Sequence, residues 1–339
     1  MADTAHTEQG KSEGLAQRAV AGERNPPFVD ADAPLLNDFH LESGERLSHP
    51  KLRVRVYGVP ANPVIAVAGG ISAGRAAADT ASDKGWWREI VGAGAAIDLN
   101  AYRVVAFDFL PNPGEIASTI TTGDQARAFA HALDTLQIDR LYSFIGASYG
   151  GMVALAFAEA FADRVDRLCI ISASDRPHPA ATAVRGIQRR IIDFGTKVGE
   201  PDEAVSLARQ LAMTTYRTPE EFKVRFDSAP SPKAGDPYAV CDYLMSRGAA
   251  FSMDPKRYLT MSDSLDRHRI DPAQIKAPAL FVAVTSDGLV PLEDIRALAE
   301  KAPNGAFAQL ASLYGHDAFL KETESVSALI RDSLKEKKS

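Results

Sequence analysis

The chain has 339 residues, 45% of them hydrophobic and 24% charged, close to an ordinary soluble globular protein. That composition excludes wholesale disorder, a fibrous repeat and a disulfide-stapled mini-protein. The 38 basic and 44 acidic residues leave a formal charge of −6, and the basic residues form no stripe, so nucleic acid is not an expected partner.

Residues 1–33 are polar, with Gly, Pro and acidic residues mixed in, and read as a loose leader. They lack the charged-then-apolar pattern of a signal peptide, and no later apolar run is long enough to span a bilayer. The expectation is a cytoplasmic protein without a membrane partner. Lys51–Tyr57 alternates polar and apolar residues, as a half-buried strand does. Five short apolar runs follow: Pro63–Ala68, Arg103–Asp108, Leu141–Ile145, Leu168–Ile171 and Ala279–Val284. Runs this short, ending in small or turn residues, suit buried parallel strands. Helical patterns occupy Thr122–Leu136, Tyr149–Phe161, Leu292–Lys301 and Glu322–Leu334. The alternation predicts an α/β protein with a mostly parallel central sheet flanked by helices.

The rhythm breaks between residues 175 and 266, where helical patterns at Ala183–Phe194, Glu203–Met213 and Pro219–Asp227 continue without a buried strand. Ser228–Asp236 reads as a Pro-, Ser- and Gly-rich loop. The simplest organisation is a core of residues 34–174 and 267–339 carrying a helical lid, residues 175–266. Such a lid caps the carboxyl ends of the strands, where open α/β sheets bind ligands. Cys169 and Cys241 are too few for a disulfide framework and lie outside any Cys-x-x-Cys or Cys/His cluster. They read as buried apolar fillers, and no metal site is expected.

The feature richest in chemistry is Gly146-Ala147-Ser148-Tyr149-Gly150-Gly151, a Gly-x-Ser-x-Gly between a predicted strand and a predicted helix. A random chain this long carries the bare pattern about once in ten. Its placement is what matters: a strand-to-helix elbow lifts the serine hydroxyl clear of the sheet, as in α/β-hydrolase folds. A serine needs a base, itself oriented by a carboxylate, and in this fold the chain order is Ser, acid, His. Downstream of Ser148 stand His178, His268 and His316. His316 follows the last apolar run, Phe307–Leu310, and is the expected base; His178 and His268 fall at the lid's edges and read as surface residues. Asp287, just past the strand ending at Val284, is the expected acid. The oxyanion of an attacked acyl group needs two N–H donors. Tyr149 supplies one, and Ile71, in the loop Gly69-Gly70-Ile71-Ser72, supplies the other. Spacing alone leaves open whether the acyl group passes to water or to another acceptor.

Several stretches together resemble the homoserine O-acyltransferases: Gly70-Ile71-Ser72, Gly85-Trp86-Trp87, Val91 to Asp98, the elbow with its doubled glycine and Met152, Ile187-Gln188-Arg189, Thr215 to Thr218, Asp254 to Leu259, and Gly315-His316-Asp317-Ala318-Phe319-Leu320. The similarity runs from about residue 50 to 330. It implies the α/β-hydrolase fold, with Ser148, Asp287 and His316 as triad, Arg189 on the amino-acid carboxylate and Asp317 on its ammonium. It also implies acyl-CoA as co-substrate, L-homoserine as acceptor, no bound cofactor, and a homodimer. The alternatives are a serine O-acyltransferase of the same family and a serine hydrolase with this triad. Two departures stand near the expected acyl pocket. The loop Phe109–Glu115 shares only turn formers with the family's Gly-Ser-Cys-x-Gly-Ser-Thr-Gly-Pro segment, and Tyr149 replaces the usual Met.

Overall fold

The computed structural model describes residues 27–335 except 36–38, 48–50, 113–118, 227–232, 234 and 236–237. Its centre is an eight-stranded sheet. The strands are β1 (Phe28–Pro34), β2 (Lys51–Tyr57), β3 (Val64–Ala68), β6 (Arg103–Phe107), β7 (Ser143–Ala147), β8 (Leu168–Ile171), β9 (Ala279–Val284) and β10 (Gly305–Leu310); β4 (Val91–Gly92) and β5 (Ile97–Asp98) pair separately. The spatial order is β1-β2-β6-β3-β7-β8-β9-β10. β2 runs antiparallel to both its neighbours, β1 and β6, and every pairing from β6 to β10 is parallel. The expected runs account for seven of these strands; β7 lies two residues further on, so that the elbow glycine Gly146 is still in the sheet.

Helices α1 (Thr122–Thr135), α2 (Tyr149–Ala160) and α8 (Leu292–Lys301) share one apolar layer with the sheet, and α10 (Thr323–Leu334) shares the other with Trp87, Ile90 and Leu99. The first layer centres on Phe107, Phe129, Phe144 and Phe157, with Phe107 and Phe129 stacked at 4.3 Å. Each such ring, fully buried, contributes about 1.5–3 kcal/mol.

The leader ends earlier than the sequence suggested. Residues 28–34 form β1, paired along its whole length with β2. The strand is polar because ion pairs hold it: buried Arg55 reaches Asp30 through Nε and Nη2, at 2.6 and 2.7 Å, and Asp83 through Nη1 at 2.8 Å. Hydrogen bonding to Arg55 holds the Asp30 carboxyl below its usual range.

Between β8 and β9 the chain leaves the sheet, and its described residues form five α-helices: α3 (Pro179–Val198), α4 (Pro201–Tyr216), α5 (Pro219–Phe226), α6 (Ala239–Ala249) and α7 (Pro255–Arg267). Most of the segment 228–236 lies outside the described residues. The lid has its own small core of Ile192, Val205, Ala208 and Tyr258. It is tied to the body through His268. The sequence read His268 as a surface residue, but it is fully buried, Nδ1 meeting Thr122 Oγ1 at 2.8 Å and Nε2 meeting the Ser174 carbonyl at 3.1 Å. Burial pushes its pKa down to about 4, so the ring is neutral and pins α7 to the start of α1. His178 is half-buried and caps α3, accepting from Ala180 N. Cys169 is buried, as expected of a filler, whereas Cys241 is only partly so. Among the described residues, no helix is long and apolar enough to cross a membrane.

Candidate active site

The elbow is built by close backbone approach. Ser148 has φ 53° and ψ −125°, a left-handed conformation that a non-glycine residue adopts at a cost of roughly 1–3 kcal/mol. Its neighbours must be glycine: a Cβ on Gly146 would lie 2.5 Å from the Gly150 oxygen, and one on Gly150 would lie 2.3 Å from the Ala68 carbonyl. The strain points Ser148 Oγ out of the sheet, where it meets His316 Nε2 at 2.8 Å.

His316 follows β10 and is buried. Its Nδ1 lies 2.7 Å from Asp287 Oδ2, and Asp287 Oδ1 accepts from the N–H groups of Leu289 and Val290 at 2.9 and 3.1 Å. The carboxylate is therefore fixed before it meets the ring. Burial alone would lower the pKa of His316, but the charge and hydrogen bond of Asp287 outweigh it and raise the imidazole above its ordinary 6.5. A second bridge joins the two loops: Ser286 Oγ donates to the Ser312 carbonyl at 2.7 Å and accepts from Gly315 N at 3.2 Å. Gly315 takes φ +57°, and a Cβ there would lie 2.8 Å from the Tyr216 carbonyl. Sequence reading overlooked Ser286, whose only signal is its place in the turn Thr285-Ser286-Asp287-Gly288.

Two backbone N–H groups near this centre have no acceptor among the described residues. Tyr149 opens α2, so its N–H has no intrahelical acceptor; neither it nor the N–H of Ile71 donates to another described residue. Gly150 N donates to the Gly69 carbonyl at 2.7 Å, locking the early loop to the elbow. The Trp86 indole holds that loop from outside, donating to the Gly74 carbonyl at 2.9 Å, while stacked Trp87 donates to the Phe319 carbonyl beside His316 at 3.0 Å.

Ser148 and His316 form part of the wall of a cavity of about 240 Å³ between sheet and lid, lined also by Ile71, Met152, Tyr216 and Tyr258. Ser172, at the end of β8, lines it with φ 52° and a buried hydroxyl that has no partner among the described residues. Asp317 reaches the cavity while its Oδ2 is held by buried Arg217 at 3.1 Å, and Arg217 is paired in turn with Glu221 at 2.7 Å.

Similarity to known proteins follows this geometry. A family model described as alpha/beta hydrolase fold matches residues 63–323. The homoserine O-succinyltransferase of Xanthomonas campestris pv. campestris is 42% identical over 91% of this chain and 87% of its own. The homoserine O-acetyltransferase of Geotalea daltonii is 30% identical over 88% of this chain and 95% of its own. The chain belongs to the homoserine O-acyltransferase family. Among solved structures, homoserine O-acetyltransferase from Staphylococcus aureus superposes with a TM-score of 0.78 at 26% identity, covering 92% of this chain and 96% of that one. Esterase E22, at 20% identity and a TM-score of 0.78 over 91% of this chain and 100% of that one, shares the fold.

In this acyltransferase two expectations shift. Tyr149 does not face the cavity: its ring is buried against Phe109 at 4.8 Å and its hydroxyl meets Ser264 Oγ at 2.7 Å, joining the body to the lid. Phe109 and Leu110 are likewise buried in the body, and residues 113–115 lie outside the described residues. Arg189 is not among the residues that line the cavity. Its Nη1 binds Asp266 Oδ2 at 2.6 Å and Ser262 Oγ at 3.0 Å. Of the two arginines on Asp266 it is Arg185 that lines the cavity, its Nε binding Asp266 Oδ1 at 2.8 Å. One helical turn separates the two arginines, so they share a face of α3; that spacing is the signal by which Arg185 was findable.

Proposed function

We propose that this acyltransferase moves an acyl group from acyl-coenzyme A to the hydroxyl of L-homoserine through an acyl-Ser148 intermediate. The observation that carries this reading is the hydrogen-bonded line from Ser148 through His316 to Asp287, opening into a cavity under the lid. His316 Nε2 takes the Ser148 proton as Oγ attacks the thioester carbonyl. The N–H groups of Ile71 and Tyr149 hold the oxyanion. As the tetrahedral adduct collapses, the carbon–sulfur bond breaks and coenzyme A leaves with the proton from His316. The homoserine hydroxyl then attacks the Ser148 ester, giving its proton to His316, and O-acylhomoserine departs as Ser148 regains a proton.

The acceptor is held at both ends of its amino-acid group. Asp317, steadied by Arg217, meets the ammonium, and the arginine pair on Asp266 meets the carboxylate. Arg185 is foremost and Arg189 braces it, a planar fork suited to a carboxylate. The lid keeps water from the ester until the acceptor binds. Acylation turns the homoserine hydroxyl into a leaving group, which suits methionine biosynthesis in the cytoplasm.

The same reading includes a homodimer through the lid. Ile187, Phe194 and Val198 are 52%, 67% and 55% exposed, and their seven- and four-residue spacing lines them along one face of α3. The test of the function is a coenzyme A release assay with and without homoserine or serine. Release that needs an amino acid supports the transferase; equal release without one makes the protein a thioesterase. The Xanthomonas and Geotalea relatives differ in the acyl group of their names, so homology alone leaves the donor open.

A further inference from the structure

Four arginines line the cavity: Arg176, Arg185, Arg209 and Arg247. Arg185 is bound to Asp266 and is already assigned to the acceptor carboxylate. Arg176 and Arg247 are exposed, where solvent and salt weaken what a charge can select. Arg209 differs from all three. It sits half-buried on α4, its guanidinium 5.2 Å from the Tyr216 ring and 4.7 Å from the Phe251 ring. Among the described residues it makes no ion pair.

Two aromatic contacts restrict the guanidinium plane, and beyond its contact with the Tyr216 hydroxyl no described residue takes up its N–H donors, which leaves them for a ligand. Tyr216 is also the neighbour of the reacting centre: its ring stacks on His316 at 5.9 Å, and His316 meets Ser148 Oγ. Arg209 and the nucleophile therefore share one cavity and one intervening ring. A partly desolvated cation with no ion-pair partner among the described residues is suited to a ligand that brings its own anion. An acetyl group on Ser148 ends in a methyl. A succinyl group carries a carboxylate roughly 5 Å from its acyl carbon, three carbon–carbon bonds away.

Building on the acyltransferase reading, we propose that Arg209 binds the free carboxylate of the acyl group and selects a succinyl over an acetyl donor. Tyr216 is the positioning residue between Arg209 and the triad. The phosphates of coenzyme A and the α-carboxylate of the acceptor have the same anionic chemistry, but both are present whichever acyl group is carried. The ratio of the two donors therefore isolates the acyl carboxylate.

The experiment measures homoserine-dependent coenzyme A release from succinyl-CoA and from acetyl-CoA, for the wild-type protein, Arg209→Gln and Arg209→Lys. The wild type is expected to prefer succinyl-CoA. Arg209→Gln is expected to lower the succinyl-to-acetyl ratio of kcat/KM about 50-fold, within the range for a charge-assisted hydrogen-bonded pair. Arg209→Lys, which keeps the charge and loses the fork, is expected to fall between. A wild type that prefers acetyl-CoA overturns the inference. So does an equal fall with both donors, which assigns Arg209 to coenzyme A phosphates, to the acceptor or to lid folding. Wild-type protein that releases coenzyme A from neither donor in response to an amino acid overturns the acyltransferase reading itself, and this inference with it.

Discussion

The floor and the roof of the cavity are made of different materials. The floor is the sheet, where Ser148 is fixed by backbone crowding: Gly146, Gly150 and Ala68 leave no room for another arrangement. The roof is the lid, where side chains are fixed by charge. Asp266 holds two arginines, and Arg217 holds Asp317 and Glu221. Close packing tolerates almost no variation, whereas ion pairs can be exchanged one residue at a time. The proposed function thus places the chemistry of acyl transfer on the floor and the choice of substrates on the roof.

Breaking the floor has the largest expected effect. Ser148→Ala or Asp287→Asn should reduce acyl transfer about 10⁴-fold or more. Thermal unfolding should show a stable protein, and mass spectrometry after incubation with acyl-CoA should find no acyl adduct on Ser148→Ala. Breaking the roof should act on binding instead. Arg185→Ala should raise the homoserine KM about 30- to 100-fold with a smaller change in kcat, and Arg189→Ala should raise it only several-fold. Steady-state kinetics in homoserine check both, and a larger effect at Arg189 would reverse the order proposed for the pair.

The floor also sets the pH dependence. Only neutral His316 accepts the serine proton, so kcat/KM should rise with pH through its pKa. Asp287 raises that pKa, and the acid limb should have its midpoint above 6.5. In Asp287→Asn the midpoint for the residual activity should move down from the wild-type one, because burial is then opposed only by the weaker pull of Asp317.

The smallest effect concerns the hinge between the regions. His268 has a pKa of about 4 when folded, against an ordinary 6.5. Between those values the unfolded chain binds the extra proton. Stability should therefore be flat above pH 7 and fall as pH drops below 6.5, by on the order of 2 kcal/mol at pH 5. Urea unfolding at pH 7.5 and 5.0 should show a loss in the wild type that shrinks in His268→Gln.

The same division explains what was legible in the sequence. β2, β8, β9 and α8 carry the bounds their hydrophobic patterns predict, because apolar burial fixes them. β1 was hidden because Arg55 holds Asp30 from a neighbouring strand, and a polar segment reads as a leader unless its distant partner is known. His268 was misread for the same reason: Thr122 and Ser174, which bury it, lie 146 and 94 residues away. The triad candidates were findable from local context, since an elbow glycine, a turn after a strand and a Gly-His-Asp loop each leave a mark. Arg209 and Arg217 leave none, since an arginine on or just after a lid helix looks like any solvated one, and Arg185 is marked only by its one-turn spacing from Arg189. One lid helix did carry an unused signal: α7 begins at Asp254-Pro255, where Asp254 caps Arg257 N, an N-terminal pattern that needs no partner.

The most direct test of the central claim is coenzyme A release by purified protein, with succinyl-CoA or acetyl-CoA crossed against homoserine, serine and no acceptor. The account predicts release that depends on homoserine, is faster from succinyl-CoA and is absent in Ser148→Ala. Release at the same rate with no amino acid present would contradict it.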